Sequence, residues 1–273
     1  MNLTSYSEIQ ELLKRHNFRF SKSLGQNFLT AAWVPESIAE SSYADETKTV
    51  LEIGPGIGCL TRELSSRAGY VYSVELDKSL MEILSETLSG CENVEVIFAD
   101  ALKSELPKAD VVCANLPYNI TSPILTKLVK EGYEYITVMI QKEVAKRICA
   151  KEGDKDYSAF GLFVQWYYDP EILFDVTPDC FVPQPKVTSS VIRLKKRKNH
   201  PAEVDDENLM FKIIRASFNQ RRKTLVNALS NVCGIDKETA EKSLVKAGFD
   251  PKVRGEVLSI GDFAKISNEI GRK

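Results

Sequence analysis

Residues 49–58 read TVLEIGPGIG, a short apolar run followed by a turn with three alternating glycines. The β-branched and apolar residues at 49–53 predict a buried strand, and the apolar periodicity after the turn predicts a helix. Such a turn lets a ligand approach the backbone at the carboxyl edge of a sheet, so Gly54 and Gly56 are candidate binding residues. The dinucleotide fingerprint G-x-G-x-x-G would require glycine at Cys59. The observed spacing therefore favours a nucleoside ligand that lacks a pyrophosphate.

Strands and helices continue to alternate through the first two-thirds of the chain. Apolar periodicity predicts further strands at 71–75, 94–98, 110–114 and 135–140, and helices at 60–68, 78–88, 123–130 and 142–150. This alternation implies a parallel sheet that is covered on both faces. Two later segments, 171–176 and 187–194, read as strands with no helix between them. We expect them to form an antiparallel pair at the edge of the sheet.

The polar, basic run at 195–208 reads as a linker to a different kind of structure. Beyond it, helices are predicted at 209–218, 224–232, 237–247 and 262–270. Ser259, three residues before Asp262, is a typical N-terminal cap. The predicted architecture is therefore a Rossmann-like α/β domain at 1–198, followed by a small all-α domain at 199–273.

Composition excludes several classes of protein. The chain has 273 residues, of which 43% are hydrophobic and 27% charged, so it can bury a core and is not disordered. The formal net charge of −2 argues against a uniformly basic nucleic-acid coat. No apolar run approaches the ~20 residues of a membrane span, and the N-terminus lacks the apolar region of a signal peptide. The six cysteines form no C-x-x-C pair, and neither histidine lies near a cysteine. We expect a cytoplasmic protein with reduced thiols and no metal site.

The positive charge is clustered in the sequence. Residues 193–223 hold ten basic and four acidic side chains, and residues 14–22 hold four basic side chains and no acid. Clusters of this kind are typical of a phosphate-binding face, and also of a solvated helix and linker. The charge pattern alone leaves both interpretations open.

Two carboxylates follow the second and third predicted strands. Glu75 comes 21 residues after Gly54, a spacing typical of an acid that accepts hydrogen bonds from ribose hydroxyls. Asp100 could accept the amino hydrogens of an adenine, although an Asp after a strand is often only a helix cap. The glycine turn, the ribose carboxylate and the adenine carboxylate together predict binding of S-adenosylmethionine (SAM).

The fourth predicted strand ends in Asn115-Leu116-Pro117-Tyr118. A tetrapeptide of this type at this position suits methylation of an exocyclic amino nitrogen, whose lone pair is conjugated into the base. The Asn115 side chain and a backbone carbonyl could accept hydrogen bonds from the amino group, while Tyr118 stacks on the base. A plain turn containing proline is the alternative interpretation of the tetrapeptide.

Four motifs occur in order along the chain: SKSLGQNFL at 21–29, NLPYNITSPIL at 115–125, FVPQPKV at 181–187 and FNQRRKTL at 218–225. With them the chain resembles the bacterial small-subunit ribosomal RNA adenine dimethyltransferases, the family that confers kasugamycin sensitivity. The resemblance covers nearly the whole chain. It departs from the family at 157–161, where YSAFG replaces a Y-G-x-L-S-like stretch.

The resemblance implies specific roles for individual residues. SAM would contact Asn27, Leu29, Gly54, Glu75, Asp100 and Asn115, and the target adenine would contact Asn115, Leu116, Tyr118 and Phe181. The implied reaction is N6,N6-dimethylation of two adjacent adenosines near the 3′ end of small-subunit ribosomal RNA. The implied partner is the assembling small ribosomal subunit. For the RNA phosphates the basic clusters offer Lys22, Arg221, Arg222 and Lys223. We expect a monomer.

Three alternatives remain open at this level. Macrolide-resistance methyltransferases resemble this family but dimethylate large-subunit RNA, and LGQNFL, FVPQPKV and FNQRRKTL argue against them. A non-catalytic nucleic-acid-binding protein that kept the fold, as in the related mitochondrial transcription factors, is disfavoured by the intact glycine turn and NLPY. A nicotinamide-dependent dehydrogenase is disfavoured by the missing third glycine of its fingerprint.

Overall fold

A computed structural model describes residues 1–21 and 24–272. The chain divides into two compact units, each assembled from two segments. The first contains Met1–Ala145 and Pro170–Lys196, and the second contains Lys146–Asp169 together with the chain from Arg197 onward. The sequence predicts a single domain boundary at 198/199. The structure differs at 146–169, which packs with the second unit rather than the first.

The first unit is built on a seven-stranded sheet. Its strands are β2 (Thr49–Ile53), β3 (Tyr70–Glu75), β4 (Val94–Phe98), β5 (Val111–Asn115), β6 (Tyr135–Gln141), β7 (Tyr168–Val176) and β9 (Ser189–Lys196). They lie in the order β4-β3-β2-β5-β6-β9-β7. Neighbouring strands from β4 to β6 are parallel, and β9 runs antiparallel to β6. The predicted sheet, with β9 and β7 at one edge, is confirmed.

Helices of the first unit include four that were expected and two that lie outside the predicted elements. The expected ones are α3 (Cys59–Ser65), α4 (Met81–Thr87), α5 (Thr121–Glu131) and α6 (Lys142–Cys149), and the others are α1 (Tyr6–Arg15) and α2 (Trp33–Glu40). The unit boundaries after Ala145 and Asp169 fall inside α6 and β7. Apolar side chains of α1 pack with Phe28 and Ile57, and those of α2 pack against the sheet. Both helices owe their stability to this burial, since helices of this length are marginal alone.

A second, two-stranded sheet brings two distant motifs together. Strands β1 (Phe28–Leu29) and β8 (Phe181–Val182) pair antiparallel, with Leu29 opposite Phe181. The backbone N–H of Thr30 also donates to the carbonyl of Cys180 at 2.8 Å. The LGQNFL and FVPQPKV motifs, about 150 positions apart in the chain, therefore lie side by side.

The second unit is helical and has its own core. Its helices are α7 (Ala159–Tyr167), α8 (Glu207–Asn219), α9 (Leu225–Ala228), α10 (Lys237–Lys246) and α11 (Ile260–Gly271), with a π-helical turn at 229–233. Tyr157, Leu162 and Trp166 pack in one hydrophobic cluster with side chains of α8 and α11. Ser259 and Asp262 form a reciprocal capping box at the start of α11, as predicted. This shared core explains why 146–169 belongs to the helical unit.

The divergent stretch at 157–161 leads into α7 and has a clear packing role. The Tyr157 hydroxyl donates to the carbonyl of Leu258 at 2.9 Å. A Cβ at Gly161 would lie 2.2 Å from the carbonyl oxygen of Arg147, so only glycine allows this approach. Among the described residues no helix is long and apolar enough to cross a membrane.

Candidate active site

A pocket opens in the first unit where four parallel strands end. Its walls are the residues that follow β2, β3, β4 and β5, closed by the segment 24–29. It encloses about 1050 Å³ of empty space, counting open solvent at its mouth. The structure brings together in this lining the predicted residues Asn27, Leu29, Gly54, Gly56, Glu75, Asp100, Asn115, Leu116 and Tyr118.

The glycine turn forms the floor of the pocket. Gly54 and Gly56 adopt positive φ angles of 72° and 59°, which side chains other than glycine rarely accept. A Cβ at Gly56 would also lie 3.2 Å from the Phe28 ring. The turn therefore presents bare backbone to the pocket, as a closely bound nucleoside requires.

Glu75 is positioned by the backbone on either side of it. One carboxylate oxygen accepts from the N–H of Asp77 at 2.7 Å, and the other accepts from the N–H of Gly56 at 3.4 Å. Burial raises the pKa of this carboxyl, and its side chain is only 7% exposed. A buried carboxylate with unused lone pairs is a strong acceptor for a pair of ribose hydroxyls.

Asp100 acts as a local cap and remains an acceptor. Its carboxylate accepts from the backbone N–H of Leu102 at 2.9 Å and pairs with Lys103 at 3.1 Å. The backbone hydrogen bond, followed by Lys103, lowers the pKa of Asp100, so it is ionised at neutral pH. A carboxylate has about four acceptor positions, which leaves room for the amino hydrogens of an adenine.

Lys127 supports the pocket from outside its lining, and no sequence motif marks it. From α5 its ammonium donates to the carbonyl of Ala101 at 2.9 Å and to that of Ser104. It also contributes to the lowered pKa of Asp100. Lys127 therefore holds the loop that follows Asp100 in place, and only the tertiary fold reveals it.

Gln26 ties the opening motif to Asp77, two residues after the end of β3. Its amide donates to the Asp77 carboxylate at 2.6 Å and accepts from the backbone N–H of Ser21 at 2.9 Å. The Asn27 amide donates to the carbonyl of Gly25 at 2.9 Å. Gln26 thus positions the loop that carries Asn27; its place inside LGQNF was the available sequence signal. Lys22 lies outside the described residues.

The NLPY tetrapeptide begins at the last residue of β5 and lies next to the opening motif, since a Cβ on Gly25 would lie 3.6 Å from the backbone N of Tyr118. Asn115 is partly exposed toward the pocket, Leu116 is buried, and Tyr118 is half-buried. Pro117 packs against the glycine turn, 3.5 Å from where a Cβ on Gly54 would lie. Phe181 is not among the described residues that line the pocket. Its side chain is 3% exposed and packs in the core with Leu29.

In the second unit, the three predicted RNA-binding residues 221–223 differ from one another. The Arg221 guanidinium pairs with Glu256 at 2.8 Å and donates to the carbonyls of Asp154 and Lys155 at 3.0 and 2.7 Å. Arg222 and Lys223 are exposed. Arg221 therefore ties segment 146–169 to the helical core, while its two neighbours face solvent.

Glu52, at the end of β2, is a buried acid that lines the same pocket. It accepts from the hydroxyls of Thr61 and Ser73, each at 2.7 Å, and is 1% exposed. Burial raises its pKa to about 7, against an ordinary value of 4.5. The two hydroxyl bonds only partly offset the cost of removing a charge from water.

This shift predicts a pH dependence of stability. Because the folded pKa is raised, the protonated acid stabilises the fold below pH 4.5, and this stability is lost as pH rises to about 7. We expect the free energy of unfolding to fall by about 3 kcal/mol across that window. Denaturant unfolding from pH 4.5 to 8 should show this fall in the wild type.

Substitution isolates the contribution of this one carboxyl. Glu52→Gln keeps an oxygen that accepts both hydroxyl bonds but does not titrate, so it should largely remove the fall. Glu46→Gln makes the same change at an exposed side chain and should leave it intact. A Glu52→Gln protein with the full wild-type pH dependence would contradict this assignment.

The fold and this pocket define a Rossmann-like, SAM-dependent methyltransferase. The side chains fit that cofactor: a bare glycine turn, a buried carboxylate for ribose and an ionised carboxylate for adenine. Residues 17–272 match the family described as Ribosomal RNA adenine dimethylase. The chain belongs to this family, and it is a SAM-dependent ribosomal RNA adenine dimethyltransferase. Among the described residues no group of His, Cys, Asp and Glu could hold a metal ion.

Individual relatives cover almost all of the chain. It is 45% identical to the ribosomal RNA small subunit methyltransferase A of Clostridium acetobutylicum, over 96% of this chain and 98% of that protein. The Geobacillus kaustophilus protein of the same name is also 45% identical, with 96% and 94% covered. A dimethyladenosine transferase from Plasmodium falciparum superposes with a TM-score of 0.73 at 25% identity, covering 87% and 95%. The 23S rRNA methyltransferase ErmE superposes with a TM-score of 0.70 at 28% identity, covering 90% and 100%.

Proposed function

We propose that this protein dimethylates N6 of two adjacent adenosines near the 3′ end of small-subunit ribosomal RNA, acting in the cytoplasm as a monomer on the assembling small subunit. The observation that carries the proposal is the NLPY end of β5 beside a pocket built for SAM. The small-subunit assignment is supported by full-length relatives at 45% identity that are named for that substrate.

The chemistry requires orientation rather than a strong base. SAM supplies a methyl group on a positively charged sulfur. The N6 lone pair of adenine is conjugated with the ring, so the amino group must be turned until that lone pair faces the methyl. The Asn115 side-chain oxygen accepts an N–H and stabilises the positive charge that develops on nitrogen. After transfer the nitrogen is acidic and loses its proton to water.

The second methyl transfer sets a steric condition on the same residues. The first transfer begins with two N–H groups and the second with one, so the site must accept a nitrogen that already carries a methyl group. Leu116 and Pro117 border the pocket beside Asn115 without a larger ring. This lining leaves room for a monomethylated nitrogen.

Base access requires that the adenine leave its stack. Stacking on an aromatic side chain offsets roughly 1–3 kcal/mol of that cost. Tyr118 borders the pocket and supplies this stacking surface. Phe181, expected as a second aromatic for the target base, is instead buried in the core with Leu29, so the proposal places the stacking on Tyr118.

Phosphate contacts come from the basic clusters, including Lys22, Arg222 and Lys223, whereas the Arg221 guanidinium is engaged by Glu256 and two carbonyls. Because Arg222 and Lys223 are exposed, an Arg222→Ala, Lys223→Ala variant should bind RNA more weakly, with a salt slope flatter by about one unit per lost contact. Filter binding across a salt series measures this. Arg221→Ala should lower thermal stability, and its RNA binding should keep more of the wild-type salt slope than that of the double variant. A double variant with the wild-type slope would contradict phosphate binding there.

Transfer of radiolabelled methyl groups tests the proposed substrate. Small and large ribosomal subunits are prepared from a strain that lacks this modification, and each is incubated with the enzyme and labelled SAM. We expect label in the small-subunit RNA, recovered as dimethyladenosine by mass spectrometry. Label in the large-subunit RNA would instead place the protein with ErmE, with which it shares its fold.

A further inference from the structure

Tyr118, the proposed stacking residue, is held at its far end by a residue that the sequence motifs do not mark. The Tyr118 hydroxyl and the Ser189 hydroxyl lie 2.5 Å apart, a short hydrogen bond between side chains 71 positions apart. Tyr118 is half-buried, while Ser189 is fully buried. The bond thus joins the rim of the pocket to the interior of the sheet.

Ser189 is a rigid anchor. It is the first residue of β9, where it pairs with Gln141 at the end of β6. The backbone N–H of Lys142 also donates to the carbonyl of Thr188 at 3.0 Å, which fixes the residue just before the strand. Because the backbone is paired with the end of β6 and the hydroxyl is buried, Ser189 offers one fixed point to the phenol.

The Tyr118 hydroxyl keeps its proton at neutral pH, so it can form this hydrogen bond. Burial raises the pKa of Tyr118 above its ordinary value of 10. At the other end, Tyr118 follows Pro117, whose carbonyl accepts from the N–H of Ile120 at 3.2 Å and from the Thr121 hydroxyl at 3.2 Å. The ring is therefore constrained at its backbone and at its tip.

We propose that Ser189 is a positioning residue for methyl transfer, which fixes the plane of the Tyr118 ring so that the stacked adenine presents its amino group to the methyl donor. The inference rests on the proposed stacking of adenine on Tyr118. Transfer rates are sensitive to small errors of placement, and an untethered tyrosine turns about two side-chain torsions. The bond to Ser189 removes that freedom before the substrate arrives.

The chain offers a matched control at the next position. Ser190 is also fully buried, but its hydroxyl donates to the Asp175 carboxylate at 2.6 Å. Successive side chains of a strand point to opposite faces, so Ser190 points away from the side that meets Tyr118. Ser189→Ala and Ser190→Ala thus make the same chemical change at the same depth in one strand.

A double-mutant cycle tests the proposal. Steady-state rates are measured for the wild type, Ser189→Ala, Tyr118→Phe and the double variant, on whichever subunit the wild type methylates. We expect Ser189→Ala and Tyr118→Phe each to lower kcat roughly three- to tenfold, with SAM affinity by calorimetry unchanged. The double variant should be no slower than either single variant, because both remove the same bond. Ser190→Ala should keep the wild-type kcat.

Different results would refute the role of Ser189 and the proposed substrate. Additive losses in the double variant, or an equal loss in Ser190→Ala, would overturn the positioning role. If Ser189→Ala does not fold, Tyr118→Phe removes the bond from the half-buried side, and an unchanged kcat there would also overturn it. A wild-type enzyme that leaves small-subunit RNA unmodified refutes the proposed substrate instead, and the cycle is then read on the RNA that it does modify.

Discussion

Replacing Asn115 by Ala should reduce turnover by about 10²–10³-fold while SAM binding and RNA binding persist. Asn115 is the last residue of β5 and borders the pocket. In the proposed mechanism its amide oxygen accepts the N–H of the target amino group. Without that acceptor the lone pair is no longer held toward the methyl, and the developing charge loses its nearest partner. Single-turnover methylation with pre-bound RNA measures this loss.

Binding measurements separate this role from a structural one. Calorimetry should give a SAM affinity for Asn115→Ala within a few-fold of the wild type, and filter binding should give an unchanged RNA affinity. Asn208→Ala makes the same change at an exposed position of α8 and should leave turnover intact. Near-normal turnover in Asn115→Ala, or a wild-type product that stops at one methyl group, would contradict the mechanism.

Replacing Glu75 by Ala should weaken SAM binding by roughly 1.5–3 kcal/mol, which corresponds to about a 10- to 150-fold higher Kd. Glu75 is buried and held by the N–H groups of Asp77 and Gly56, so its acceptor positions are fixed before the ribose arrives. Removal of the carboxylate leaves the ribose hydroxyls without their charged partner in the pocket. Titration calorimetry with SAM measures the change.

The conservative substitution separates charge from shape. Glu75→Gln retains the size and one acceptor, so its loss of affinity should be smaller than that of Glu75→Ala. Glu105→Gln, at an exposed side chain, should bind SAM normally. An unchanged Kd in Glu75→Ala would show that the ribose binds elsewhere in the pocket.

The local pattern of apolar residues was sufficient to predict most strands of the sheet. The strands at 49–53 and 94–98 have the predicted bounds, and the others shift by one to three residues at their ends. The parallel order follows because helices alternate with strands, and carboxyl ends of parallel strands meet at one edge. The sequence alone therefore assigns the residues after β2, β3, β4 and β5 to one pocket.

Segments whose structure depends on distant partners could not be predicted. Strand β1 has two residues and exists because β8 pairs with it. Helix α7 lies in an apolar run whose sequence does not reveal which core receives it. For the same reason the assignment of 146–169 to the helical unit was missed: packing, not chain order, groups those residues.

The chemistry of the site divides along the same line. The types of side chain at the pocket, such as the carboxylate of Glu75 and the amide of Asn115, are properties of short motifs and are readable from the chain. The raised pKa of Glu52 depends on its burial, and the bond from Tyr118 to Ser189 depends on strand pairing. Both arise from contacts between residues far apart in the chain, because depth and distance exist only once the sheet has formed.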